Sequence, residues 1–204
     1  MRRLIAAVLV ALLATGCAAL PGGGVAESEE LRGPWRAQPL SVDRETISAS
    51  EQACRAAELE FGVQGPATTG RLVAVDARGG GRITLLYVSR GDAYVACQVD
   101  VGAERPRWIG GSRADAGDPQ YVLAADDVVI VGSGGMSGGR DASSSVVGRV
   151  GGDVTAVRVV LPSGSSLQAS VGDGWFIAWW PTDETGFVAE AFNASGQKVS
   201  EARH

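Results

Sequence analysis

Residues 146–180 read VVGRVGGDVTAVRVVLPSGSSLQASVGDGWFIAWW. Thr155, Val157, Val159 and Leu161 fall on one side of an extended chain and Arg158 on the other, the period-two pattern of a strand with one buried face. Pro162, Ser163 and Gly164 turn the chain, and Leu167, Ala169 and Val171 then alternate with Gln168 and Ser170. Gly172-Asp173-Gly174 is a strong hairpin signal. After it, Trp175, Ile177 and Trp179 oppose Phe176, Ala178 and Trp180, so this strand is apolar on both faces. Such a strand belongs inside a sandwich or beneath another layer. The stretch reads as a β meander. It predicts a mainly β (α+β) chain: an antiparallel meander or sandwich with one N-terminal helix packed on the sheet.

Working outward, 187–192 is a further strand, Asn193-Ala194-Ser195-Gly196 a turn and 197–200 a short last strand. Upstream, 71–76 alternates weakly, Ile83, Leu85 and Tyr87 mark a second strand, and glycine-bearing turns separate them. Ala93, Val95, Cys97, Val99 and Val101 share one face of a third, with Tyr94, Gln98 and Asp100 on the other, which predicts a half-buried strand. Residues 105–120 read as loop with a short strand at Trp108-Ile109, and 121–123 and 128–131 as two more short strands around an Asp126-Asp127 turn. The helix is placed at 49–61. Ser48 and Glu51 form a capping box at its start, and Gly62 supplies the left-handed stop. Cys54, Ala57 and Phe61 lie on one face of it.

The start of the chain, MRRLIAAVLVALLATGC, has two arginines, an apolar run too short to span a bilayer, small residues and Cys17. That is the anatomy of a secretory signal. Leu13-Ala14-Thr15-Gly16-Cys17 resembles the lipobox of bacterial lipoproteins. The resemblance implies cleavage after residue 16 and acylation of Cys17, which anchors the protein to a membrane without a transmembrane helix. Residues 17–45 hold a glycine run, a few acids and prolines, and no hydrophobic period, so they read as a flexible tether, with Trp35 isolated in it. The remaining organisation follows: helix plus antiparallel sheet over 46–132, a flexible Gly/Ser loop over 133–145, and a C-terminal β module over 146–204. The run GRVGGDVTAVRVVLPSG, then DGWFIAWWP and a strand ending NASGQKV, is similar to the C-terminal segment of uncharacterised exported actinobacterial proteins. That resemblance implies β structure and no particular activity. The single lysine, Lys198, against many arginines fits a GC-rich genome.

With Cys17 assigned to lipid, Cys54 and Cys97 are an even pair in an oxidising compartment. A disulfide pinning helix to sheet is the leading reading, and two buried free thiols are the alternative. The formal net charge of −5, without a basic run, argues against nucleic acid as a partner. One histidine, no P-loop and no calcium-loop pattern leave no metal or cofactor to expect. Gly135-Met136-Ser137-Gly138-Gly139 matches G-x-S-x-G and looks like the GDSGG of trypsin-like proteases with Met136 replacing the aspartate. Both chemistries need a histidine, and the only one, His204, sits on the last residue, where mobility is expected. A chance match in a Gly/Ser tract is the reading adopted.

Trp175, Trp179 and Trp180 are the surviving functional hint, because exposed aromatic platforms bind sugars and proteins. Their competing role is core, and the face carrying Trp180 is expected to be the more exposed. The chain is therefore expected to be a non-enzymatic, lipid-anchored protein on the extracytoplasmic side of the cell membrane, binding an envelope protein or a cell-wall component. The alternatives are an accessory or sensor subunit of a membrane complex, and a serine hydrolase using Ser137.

Overall fold

The computed structural model describes residues 28–62, 65–114, 122–136 and 142–204. Cys17 and Ser137 lie outside them. Among the described residues three helices, α1 (Ser28–Arg32), α2 (Arg44–Glu60) and α3 (Pro66–Thr69), precede twelve strands. The strands are β1 (Arg71–Ala77), β2 (Arg82–Val88), β3 (Tyr94–Asp100), β4 (Arg107–Ala114), β5 (Val128–Met136), β6 (Ser143–Val150), β7 (Val154–Val160), β8 (Ser166–Gln168), β9 (Ser170–Gly172), β10 (Trp175–Trp180), β11 (Val188–Asn193) and β12 (Lys198–Arg203). They form three antiparallel sheets, ordered β1-β2-β3-β4, β5-β6-β10-β9 and β12-β11-β7-β8. The fold is mainly β, with its principal helix on a sheet, as the patterning predicts.

The layers stack as helix, sheet, sheet, sheet. Cys54 of α2 meets Ile83, Leu85, Tyr87, Cys97 and Val99 on one face of the first sheet. The opposite face presents Leu86, Val88, Tyr94 and Ala96 to Val147, Trp175 and Ile177 of the second sheet. The other face of the second sheet sends Phe176, Ala178 and Trp180 into a core with Val157, Val159, Ala189 and Ala191 of the third. The second sheet is thus covered on both sides, which is why β10 can be apolar at every position. The same stacking corrects the reading of β3: it is buried on both faces, because the side with Tyr94 and Gln98 meets the second sheet rather than water.

The C-terminal part is not a simple meander. β6 and β7 are consecutive but belong to different sheets, β6 pairing with β10 and β7 with β11. Residues 166–172 leave the third sheet as β8 and enter the second as β9, a corner of the kind sandwiches use when a strand changes sheets. At the expected hairpin, Asp173 and Gly174 both have positive φ, 49° and 78°, and join β9 to β10.

Two organisational expectations fail. Of the expected loop 133–145, residues 133–136 and 143–145 are strand: Ser133 pairs with Val146, Gly134 with Ser145 and Gly135 with Ser144 where β5 meets β6, and residues 137–141 lie outside the described residues. Ladder bonds use backbone, so a tract without apolar period still forms a strand. Small residues suit this tract: a Cβ on Gly135 would lie 2.8 Å from the Ser143 carbonyl oxygen. Nor do residues 28–45 form a loose tether. The amides of Arg36 and Leu40 donate to the carbonyls of Arg78 and Ala77, each at 2.7 Å. Leu31 is buried in the core beside α2, and Trp35 meets Trp179 edge-on with ring centroids 6.5 Å apart. The apolar residues of this strap fill separate gaps, so they share no period.

Smaller differences have local causes. α2 begins one turn before the expected capping box, because Asp43 is the cap: its carboxylate accepts the Thr46 amide and hydroxyl, both at 2.7 Å. Ser48 and Glu51 fall inside the helix, and Gly62, at φ 67°, ends it as expected. Trp108 and Ile109 belong to a full strand, β4. Val122 and Leu123 form no strand, and Val122 is exposed.

Candidate functional site

The tryptophans of β10 offer no platform. Trp175, Trp179 and Trp180 retain 4%, 2% and 1% of their surface. The expectation that the Trp180 face is exposed is overturned by the third sheet and by Phe187, just before β11, which meets Trp180 edge-on at 5.3 Å. The exposed aromatics are elsewhere. Phe61, at the end of α2, is 64% exposed and Trp108, on β4, 38%. Their rings meet edge to face at 5.4 Å and 69°. Phe61 was expected on the buried face with Cys54 and Ala57, but it lies past the last helical residue, and only the two smaller residues are covered.

The geometry of β4 makes this surface. It pairs with β3, with Val95 opposite Arg113, Cys97 opposite Gly111 and Val99 opposite Trp108, and a bulge between Gln98 and Val99 accommodates Ile109. The extra residue keeps Trp108 on the same side as Gly111 and Arg113, facing α2. Between helix and strand lies a cleft of about 170 Å³, walled by Ala57, Phe61, Val95 and Trp108. Its floor is the disulfide between Cys54 and Cys97, whose Cα atoms are 6.1 Å apart. The predicted bridge is present and does pin helix to sheet. Gly111 leaves the cleft open midway along β4, and a Cβ there would lie 2.4 Å from the Ala96 carbonyl oxygen.

The charges in the cleft are unequal. The Glu58 carboxylate is already occupied, accepting the amides of Ala67 and Thr68 at 3.1 and 2.8 Å and the Thr68 hydroxyl at 2.8 Å. It holds α3 against α2. Arg113, exposed at the end of the cleft, has no ionic or hydrogen-bonding partner among the described residues. Under α2, burial pushes the Tyr87 phenol up, helped by Glu51, so the ring stays neutral.

A second cavity, of about 270 Å³, lies beside β5, with Ser133, Ser143, Ser144, Asp183 and Glu184 in its wall. Here His204 is held firmly, contrary to the expected mobility. Its amide donates to the Phe187 carbonyl at 3.0 Å, its ring stacks on Phe187 at 5.0 Å, and its Nε2 lies 2.7 Å from Ser133 Oγ. A serine nucleophile needs a base whose imidazole is itself oriented by a third polar group. Among the described residues no carboxylate bonds this ring. β12 lies against β5 without a ladder between them, and Ser133–His204 together with Ser200 Oγ on Asp127 Oδ1, at 2.9 Å, fastens that seam. Among the described residues there is no cluster of metal-ligating side chains and no helix long and apolar enough to cross a membrane.

No protein-family model, no curated protein and no solved structure matches the chain.

Sequence reasoning missed Phe61, Trp108 and Arg113 as a group. Trp108 stands in a polar stretch, and nothing local ties it to a helix nearly fifty residues earlier.

Proposed function

We propose that the protein is a lipid-anchored, non-enzymatic envelope protein that binds its partner in the cleft between α2 and β4. The observation that carries this reading is the Phe61–Trp108 pair: two exposed aromatic rings in contact, over an apolar floor made rigid by a disulfide. Exposed aromatics over a pre-formed apolar cleft are the usual anchors of recognition. The anchor is Cys17, on the lipobox resemblance, and it places the cleft on the extracytoplasmic side.

Photo-crosslinking in the producing cells tests the reading. p-Benzoylphenylalanine at position 61 or 108 is expected to give one adduct of the same size from both positions, and none from position 158 on the outer face of the third sheet. No adduct, or the same adduct from position 158, overturns it.

A further inference from the structure

Resting on the reading of this cleft as the binding surface, we propose that its ligand is an extended peptide that adds to the free edge of β4, with an acidic, a small and a large apolar residue in successive positions. The first observation is the edge. β4 is outermost in its sheet, its ladder is with β3, and its residues make no other backbone hydrogen bond among the described residues. Such an edge presents a row of unpaired donors and acceptors to an incoming strand. Beyond the bulge, Gly110 to Ala114 run in regular register with Gln98 to Tyr94, long enough to template a short strand.

The second observation is that a cleft opens on each face of this edge, and Gly111 and Ser112 line both. On the helix side is the apolar cleft of about 170 Å³. On the other side, between the first and second sheets, is a polar one of about 40 Å³ lined by Gln98, Ser112, Gly134 and Ser145. Successive side chains of an added strand point to opposite faces. Every second residue therefore enters the helix-side cleft, and the one between meets a much smaller space, with room for a few water molecules. The residue opposite Gly111 lies against the Phe61–Trp108 pair and is large and apolar. The residue opposite Ser112 is small. The residue opposite Arg113 faces a guanidinium that has no partner among the described residues, while Glu58 is already spent on α3, so it is acidic.

The test uses the full-length protein in detergent micelles and a fluorescein-labelled peptide, acetyl-Thr-Asp-Ser-Phe-Thr-amide, followed by fluorescence anisotropy. Saturable binding is expected. N-methylation of the central peptide amides is expected to abolish it, and Asp replaced by Lys to weaken it about fivefold, the scale of an exposed ion pair. Arg113→Glu is expected to reverse that preference in favour of the lysine peptide, an exchange that a merely damaged fold does not produce. Equal binding of the N-methylated peptide overturns strand addition. Absence of peptide binding while positions 61 and 108 still crosslink overturns the peptide and leaves the cleft standing. Absence of both removes the cleft as well. A concentration-dependent dimer in sedimentation that Arg113→Glu dissolves would make the occupant a second copy of this chain and would also overturn the proposal.

Discussion

Asp76 and Arg78, two residues apart at the end of β1, form an ion pair at 2.8 Å in which neither side chain has exposed surface. Oδ1 of Asp76 accepts the Ser170 hydroxyl at 2.7 Å, and Oδ2 accepts the Trp179 amide at 3.1 Å. Arg78 donates to the carbonyls of Ala37, at 2.6 Å, and of Gln168. Burial pushes the Asp76 carboxyl up, and the guanidinium and the other donors pull it back. The pair joins the strap, the first sheet, the second sheet and the corner between β8 and β9. Removing one partner strands a buried charge, a loss of about 3–5 kcal/mol. Asp76→Asn and Arg78→Met should each lower the unfolding free energy from urea titration by that measure, and the double variant should be more stable than the two losses added. Single losses below about 1 kcal/mol would show that the pair is not the junction described.

The Cys54–Cys97 bridge closes a loop of sequence separation 43. On the chain-entropy account this is worth about 4 kcal/mol. Replacing both cysteines by alanine, or adding reductant to the native protein, should lower the guanidinium midpoint, the unfolding free energy falling by about that amount. A midpoint indifferent to reductant would mean that the bridge is absent in solution.

The strap contributes to the fold. Leu31→Ala should cost about 2–5 kcal/mol, the range for a buried leucine. Trp35→Ala should also lower stability and change the near-ultraviolet circular dichroism through loss of the Trp179 contact. A freely moving tether would leave both measurements unchanged.

The Asp43 cap makes stability depend on pH. Its carboxyl lies below the ordinary value because the Thr46 amide and hydroxyl donate to it. The folded state therefore binds this proton less tightly than the unfolded chain. The stabilisation is present above the unfolded carboxylate range and disappears as pH falls through the lowered folded value. Asp43→Ala should cost about 1 kcal/mol at neutral pH and less in acid. Asp43→Asn should keep the cap and lose that part of the pH dependence. Thermal melts of the three proteins across the acid range would decide this.

Cys17→Ser should move the protein from the membrane fraction to the medium or the soluble envelope fraction. A variant that stays with the membrane would remove Cys17 as the anchor.

The strands that alternate strongly were legible. Val157 and Val159 of β7, Leu161 just past it and the hairpin at Gly172-Asp173-Gly174 stand where their periodicity puts them. Their patterns are local, and local geometry sets them. The Cys54–Cys97 pair was legible because the number of cysteines left few choices and each fell on an inward face. A residue's own sequence carries no record of which layer will cover it. The doubly apolar β10 called for cover on both faces, yet only the stacking of three sheets decided that Trp180 is core while Phe61 is surface. The strap's Trp35, the strand through Ser133 to Met136 and the joining of Phe61, Trp108 and Arg113 were likewise decided in three dimensions. Their partners lie far along the chain, and backbone pairing and close packing of small residues leave no periodic trace.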